Sequence, residues 1–150
     1  MKSVEALITF QLAVEFKLEV YGVIESSAKA EHDLRYKSQL FEAASGIESN
    51  LDEGFSRNVP GEFDQFIRYA LGSLAEARRR LKDGVHRKYF TEERCQEALG
   101  LAQRCADATR KLRSSLIPFR RKPRARRPTP PPRSNARSSR GRAASAPDDT

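Results

Sequence analysis

Residues 60–84 read PGEFDQFIRYALGSLAEARRRLKDG, and the spacing of the apolar side chains in this stretch decides the fold. These side chains recur every three or four positions, which is the period of an α-helix with one buried face. Pro60 suits the first position of a helix, and the acidic residues after it suit the positive end of the dipole. Gly84 and the cations beside it indicate the end. The predicted buried face consists of Phe63, Phe66, Ile67, Ala70, Leu74, Ala77 and Leu81.

The same period continues on both sides of this stretch. Upstream, residues 32–54 predict a helix whose start Asp33 can cap, and residues 56–59 form the turn that follows. Downstream, Thr91 is a capping residue followed by two glutamates, and the helix that it starts ends at Pro118. Three of the predicted helices are therefore consecutive.

The segment of residues 3–27 allows two interpretations. Its apolar residues alternate from Phe10 to Val20, as in a strand, but they also form two helical stripes. One stripe is Leu7, Phe10, Val14, Leu18, Tyr21 and Ile24, and the other is Ala13, Phe16, Val20 and Val23. A helix is favoured because no Gly or Pro interrupts the segment before Gly22, and a single strand would have no partner. Two stripes exceed what a bundle core needs, which predicts a homo-oligomer.

Long helices joined by short loops fold back on their neighbours. The sequence therefore predicts an all-α fold, an antiparallel up-down-up-down four-helix bundle over residues 1–117. Residues 118–150 differ in composition, because they hold seven of the eight prolines and Phe119 is their only large apolar residue. Such a segment cannot bury enough surface to offset its ordering entropy, so we expect a disordered tail.

The net charge of the chain belongs to this tail. Residues 1–117 carry 18 basic and 18 acidic side chains, whereas residues 118–150 carry 10 basic and 2 acidic ones, which leaves +8. Six tail cations lie within eight positions: Arg120, Arg121, Lys122, Arg124, Arg126 and Arg127. They would attract a polyanion such as RNA or DNA. The alternatives are a solubilising extension without a partner, and less readily an anionic membrane or a proline-binding domain. No aromatic residue is interleaved to stack on bases, which argues against reading of base sequence.

A second set of cations, which we call the basic band, lies near the end of the third predicted helix. Some of its members complement the helix dipole, and three consecutive arginines must point around more than half of the helix. A solvated face and a nucleic-acid contact are both open interpretations. The band consists of Arg78, Arg79, Arg80, Lys82, Arg87 and Lys88.

No residue pattern predicts an enzyme, a cofactor or a small-molecule substrate. Cys95 and Cys105 are too few for a disulfide framework or a zinc site, and both fall on a helical stripe as small buried residues. The two histidines have no partner at metal-ligand spacing. No stretch approaches the roughly 18 apolar residues of a membrane span. Charged residues from Glu15 to Glu25 interrupt the only pattern similar to a signal peptide, so we expect a cytoplasmic protein.

Two motifs give the chain a resemblance to a known family. Residues 46–55 read GIESNLDEGF and residues 62–76 read EFDQFIRYALGSLAE. They resemble the paired motifs of bacterial four-helix-bundle proteins encoded in intervening sequences of large-subunit ribosomal RNA genes. The resemblance spans about residues 7–117, with departures at Gly46, Glu48 and Asp52. It implies a bundle that assembles as a ring, such as a pentamer, and one branch serves diversity-generating retroelements as a basic accessory protein that binds nucleic acid.

The motif residues Asn50, Glu53, Gly54, Gly72 and Ser73 have structural interpretations. Asn50 and Glu53 share a helical face, and we expect them to secure the end of their helix rather than to form a binding site. Gly72 and Ser73 are expected to let a neighbouring helix approach closely. The leading functional hypothesis is a non-catalytic, oligomeric nucleic-acid- or ribonucleoprotein-associated protein. The alternative is an oligomeric protein-interaction scaffold whose tail solubilises it or docks a partner.

Overall fold

The computed structural model describes residues 4–57 and 59–116. Within them five helices follow one another: α1 (Val4–Glu25), α2 (Ala28–His32), α3 (Leu34–Arg57), α4 (Pro60–His86) and α5 (Glu92–Ser115). The four long helices confirm the predicted all-α class, and α1 confirms that the ambiguous first segment is helical. The five-residue helix α2 was not predicted from the sequence.

Two helix starts are capped as predicted. The Asp33 carboxylate accepts a hydrogen bond of 3.1 Å from the Tyr36 backbone N–H at the start of α3. The Thr91 hydroxyl accepts one of 3.1 Å from the Arg94 backbone N–H at the start of α5. Each bond satisfies a donor that the first turn of a helix would otherwise leave without a partner.

The end of α4 falls among the residues predicted to mark it. Gly84 lies in the last turn of the helix, which ends at His86. The chain leaves α4 through Lys88, which has a positive φ of 62°. The Tyr89 N–H donates to the Gly84 carbonyl at 2.8 Å, and the Lys88 N–H donates to the Val85 carbonyl at 3.0 Å. These two bonds form a Schellman motif with a lysine in the position that usually holds glycine.

The long helices form a square in which α1 and α4 each pack against α3 and α5. Neighbouring helices are antiparallel, because residue numbers rise along one helix as they fall along its neighbour in the contacting pairs. On α1 and α3, Lys17 pairs with Glu48 and Tyr21 contacts Phe41. The arrangement agrees with the predicted up-down-up-down bundle.

A polar contact crosses each of the four helix interfaces. Lys17 and Glu48 form an ion pair between α1 and α3. Arg94 donates to Glu19 at 2.8 Å between α5 and α1, and Arg113 donates to Asp64 at 2.9 Å between α5 and α4. Between α3 and α4 the Tyr36 hydroxyl donates to the Arg80 carbonyl at 2.5 Å. Because each contact suits one axial offset of its two helices, the set fixes their register.

The two predicted stripes of α1 have different surroundings. The stripe of Ala13, Phe16, Val20 and Val23 is completely buried in the core. The other stripe leaves Leu7 and Leu18 exposed by 53% and 58%, although Ile24 at its end is buried. One side of α1 thus builds the bundle, and the opposite side presents apolar surface to solvent.

Residues 117–150 lie outside the described part of the chain, and the predicted tail disorder falls on them. The division into a bundle of residues 1–117 and a tail of residues 118–150 stays a prediction. None of the helices in the described ranges is both long enough and apolar enough to cross a membrane.

Candidate nucleic-acid interface

Asp33 is the centre of a polar cluster at the start of α3. One carboxylate oxygen accepts the capping bond from the Tyr36 N–H, and the other accepts a 2.6 Å bond from the Tyr89 hydroxyl. The Arg87 guanidinium lies 3.6 Å from the latter oxygen. The Tyr89 hydroxyl, the Tyr36 N–H and the nearby arginines hold the pKa of Asp33 below its usual range. The same bond to Asp33 raises the pKa of Tyr89.

Tyr36 connects this cluster to α4. Its side chain is buried, its hydroxyl donates to the Arg80 carbonyl, and its ring packs edge-on against Tyr89 with centroids 5.2 Å apart. A Cβ at Gly84 would come within 2.3 Å of the Tyr36 hydroxyl and 2.6 Å of the Phe90 ring. Position 84 must therefore be glycine for the two helices to meet in this way. Burial raises the pKa of Tyr36, so its hydroxyl remains a donor at neutral pH.

Two arginines of the basic band are held in place beside Tyr36. Arg80 donates to Glu76 through Nε at 3.2 Å and Nη2 at 3.0 Å, and to Gln39 through Nη1 at 2.7 Å. Arg87 pairs with Asp83 at 2.8 Å, and its guanidinium carbon lies 5.8 Å from the centre of the Tyr36 ring. These contacts fix the direction of both guanidiniums.

These side chains surround a polar cleft of about 390 Å³ between α3 and α4, which we call the arginine cleft. It is lined by Asp33, Arg35, Tyr36, Gln39, Arg80 and Arg87. Arg35 was not predicted as a site residue. It stands in the first turn of α3, where the positive end of the helix dipole disfavours a cation, and this local conflict is the sequence signal that could have identified it.

The other members of the basic band point elsewhere. Arg78 lies towards α5, where it donates to Gln103 at 3.5 Å. Arg79, Lys82 and Lys88 are exposed, and no side-chain hydrogen bond or ion pair joins them to another residue within residues 4–57 and 59–116. The six cations are thus distributed over three directions around the end of α4. Their contact with nucleic acid stays a prediction, and so does that of the six tail cations, which lie outside the described residues.

The motif residues on α3 make local contacts. The Asn50 amide donates to the Gly46 carbonyl at 2.6 Å within the same helix. Glu53 pairs with Arg57 at 2.9 Å one turn later, near the end of α3. Gly54 allows close packing, because a Cβ there would come within 2.7 Å of the Phe63 ring.

Contrary to what the sequence led us to expect, Gly72 does not lie at a contact between helices. It is exposed, and a Cβ at this position would meet nothing within 4 Å in the described structure, so the expectation of a close helix approach at Gly72 was wrong for the single bundle. The close approach occurs instead between Ser73 and Gly46, where a Cβ would lie 2.8 Å from the Ser73 hydroxyl oxygen. The glycine at this approach is Gly46 on α3, whereas the sequence predicted a glycine on α4.

Both cysteines are buried in the core. Burial raises the pKa of Cys105 to about 11, and it also raises the pKa of Cys95. Thiols in such surroundings are poor nucleophiles. In the described part of the chain, no three His, Cys, Asp or Glu side chains lie together in a way that could hold a metal ion.

A separate apolar surface follows α1 and α3, and we call it the α1–α3 face. Near the start of α1 it includes a groove of about 130 Å³ lined by Ala6, Leu7, Phe10, Asp52 and Phe55. Leu18 extends it along α1, and Leu34 at the start of α3 is exposed by 74%. Exposed leucines beside an apolar groove are a candidate interaction surface.

Comparison with known proteins agrees with the motifs. The family described as 23S rRNA-intervening sequence protein matches residues 5–111. No curated protein and no solved structure matches the chain. Because the match covers more than half of the sequence, the chain belongs to the 23S rRNA-intervening sequence protein family.

Proposed function

We propose that this member of the family is a non-catalytic, oligomeric, cytoplasmic protein that associates with nucleic acid or a ribonucleoprotein. RNA is the nucleic acid that we favour as its ligand. The observation that carries the proposal is the location of charge, because the net charge of +8 belongs entirely to residues 118–150. A cluster of arginines in a segment with little apolar content can follow a phosphate backbone without a fixed structure. The family description, which names an rRNA intervening sequence, supports RNA as the polyanion.

The folded body would contribute a second set of phosphate contacts. Arg79, Lys82 and Lys88 are exposed near the end of α4, and the arginine cleft lies next to them. In an oligomer this set would be repeated once per subunit. Repetition would strengthen a weak contact, because binding by one subunit raises the effective concentration of RNA at the next.

Self-association would use the α1–α3 face. Leu7 and Leu18 present apolar surface on the side of α1 opposite to the core, and a second copy that covers them would remove this surface from water. In a closed ring, such as a pentamer, this face of each subunit would pack against a different surface of the next subunit.

The experiment is an RNA and DNA titration at two salt concentrations with the full chain and with a chain that ends at Ile117. We expect the full chain to bind at about 50 mM salt and to lose affinity steeply at about 200 mM, with little preference among sequences. The chain that ends at Ile117 should lose most of the affinity, because its formal charge is zero. Failure of both chains to bind at the lower salt concentration would contradict the proposal.

The alternative is a protein-interaction scaffold, which the apolar α1–α3 face also favours. In that case a protein partner would bind with fixed stoichiometry and with weak dependence on salt, and nucleic acid would not compete for it. The same titration distinguishes the two, because only phosphate contacts respond steeply to salt.

A further inference from the structure

We propose that the arginine cleft is a preformed site for a phosphate group, and that the group is carried by an RNA strand. The first half of this inference goes beyond the proposed function, because it assigns a phosphate site to the folded body. The second half rests on the proposed function, because it takes RNA as the ligand.

The cleft offers donors that are already oriented. Arg80 uses three of its five N–H donors on Glu76 and Gln39, which leaves two, and its guanidinium cannot rotate without breaking those bonds. Arg87 is fixed in the same way by Asp83 and by the Tyr36 ring. Planar arginine forks match the geometry of phosphate oxygens, and fixed forks lose little side-chain entropy on binding.

The charge of Arg35 is offset less than the charges of the other two arginines. Arg80 and Arg87 are each paired with an acidic residue one turn earlier on α4, whereas the Arg35 side chain forms no hydrogen bond or ion pair with another described residue and only its charge interacts with Asp33. The Asp33 carboxylate, the one acidic group in the lining, is already bonded to the Tyr89 hydroxyl and the Tyr36 N–H. Those donors reduce its repulsion of an incoming anion. Removal of Arg35 should therefore affect an anion in the cleft more than it affects the fold.

Size and depth of the cleft agree with this ligand class. Its volume of about 390 Å³ exceeds what one phosphate group needs, and it opens at the surface between α3 and α4. A buried floor is formed by Tyr36, and Gly84 lets this tyrosine approach α4. A phosphate group could enter without displacing core residues while the remainder of its strand stayed in solvent.

The test uses inorganic phosphate and the thermal unfolding of the full chain. A ligand raises the melting temperature only if it binds the folded state more tightly than the unfolded state. The cleft exists only in the folded state, whereas the tail cations are predicted to be equally accessible in both states. Phosphate bound by the tail alone therefore leaves the melting temperature unchanged. We expect phosphate at about ten times its dissociation constant to raise it by about 3–6 °C relative to chloride at equal ionic strength.

The decisive pair of variants is Arg35→Gln and Arg104→Gln. Both arginines are exposed and neither side chain forms a hydrogen bond or ion pair with another described residue, but only Arg35 lines the cleft. Phosphate also stabilises proteins by exclusion from their surface, an effect that both variants share, so the difference between their rises reports binding in the cleft. Arg35→Gln should lose most of the additional rise, and Arg104→Gln on α5 should keep it. Equal rises in both variants, or equal losses, would overturn the site.

Binding of a single-stranded RNA to the same full-length variants tests the second half. We expect Arg35→Gln to weaken RNA binding by about 2–5-fold and to reduce the slope of log affinity against log salt by about 0.7, the value for one phosphate contact. If the phosphate test succeeds but Arg35→Gln and Arg104→Gln bind RNA equally, RNA is not the ligand of the cleft. If RNA binds while the phosphate test fails, the proposed function stands and the cleft site is wrong.

Discussion

Tyr36 on α3 occupies the space that a side chain at Gly84 on α4 would need. A Cβ at position 84 would come within 2.3 Å of the Tyr36 hydroxyl oxygen. This relationship lets the hydroxyl reach the Arg80 carbonyl at 2.5 Å and holds the floor of the arginine cleft in place. The glycine is thus a packing requirement of the cleft as well as part of the last turn of α4.

The first prediction follows from that contact. Gly84→Ala should lower the free energy of unfolding by about 1–3 kcal/mol, because the added methyl group forces Tyr36 and Phe90 to move. Gly72→Ala is the matched control, since a Cβ there meets nothing within 4 Å in the described structure. It should stabilise α4 by about 0.5–1 kcal/mol through helix propensity. Urea denaturation of both variants measures the difference, and a Gly84→Ala protein as stable as the wild type would contradict the packing.

The second prediction concerns the stability of the fold at low pH. The pKa of Asp33 is lowered in the folded state, chiefly by the Tyr89 hydroxyl, so the ionised carboxylate stabilises the fold. The contribution is complete above the unfolded pKa of about 3.9 and is lost as the pH falls through the lower folded pKa. Asp33→Asn should therefore lower the urea midpoint at pH 6, and the difference from the wild type should shrink below about pH 4.

A control variant separates Asp33 from the general effect of acid. Glu97→Gln removes an exposed carboxylate on α5 that caps no helix. Its urea midpoint at pH 6 should be close to that of the wild type. If the two variants lose the same stability at pH 6, the network around Asp33 does not stabilise the fold.

The third prediction concerns Lys88, which has a positive φ of 62°. A left-handed conformation costs a residue with a Cβ about 1–2 kcal/mol, and glycine avoids that cost. Lys88→Gly should therefore raise the free energy of unfolding by about 1 kcal/mol. Lys82→Gly, which removes the same charge from inside α4, should lower it by about 1 kcal/mol. Thermal unfolding distinguishes the two, and destabilisation by Lys88→Gly would show that the helix ends differently.

Local sequence predicted the helices well but not the contacts between them. The starts at Asp33 and Thr91 depend on bonds within one turn, so a reader of the sequence can find them. The role of Gly84 depends on Tyr36, which is 48 positions away along the chain, and a glycine beside several cations has the same local pattern as a helix end. The need for glycine at position 84 comes from its packing against Tyr36, which the local sequence does not show.

The α1 segment and the basic band show the same limit. Phe16 and Leu18 belong to one alternating apolar pattern, yet Phe16 is completely buried and Leu18 is 58% exposed, because a helix turns them to different sides. In the band, Arg79 and Arg80 are adjacent, but only Arg80 reaches Gln39 on α3. Composition predicted the positive charge, whereas the neighbouring helices determine where each cation points.

The fourth prediction tests self-association. Leu18→Glu places a charge on the α1–α3 face and should dissociate an oligomer to the 16.9 kDa chain, because a buried, unpaired carboxylate is costly. Gln96→Glu adds a charge to an exposed position on α5 as a control and should leave assembly unchanged. Light scattering during size-exclusion chromatography gives the mass. A wild-type protein that is already monomeric at micromolar concentration would contradict the oligomer.

The central claim is that the tail supplies most of the affinity for RNA, and the salt dependence of binding tests it most directly. The measurement compares the full chain with a full-length variant in which Arg120, Arg121, Lys122, Arg124, Arg126 and Arg127 are replaced by glutamine. Each lost phosphate contact on a single strand should reduce the slope of log affinity against log salt by about 0.7, so the variant should lose up to about 4. Equal slopes and equal affinities for the two chains would contradict the claim.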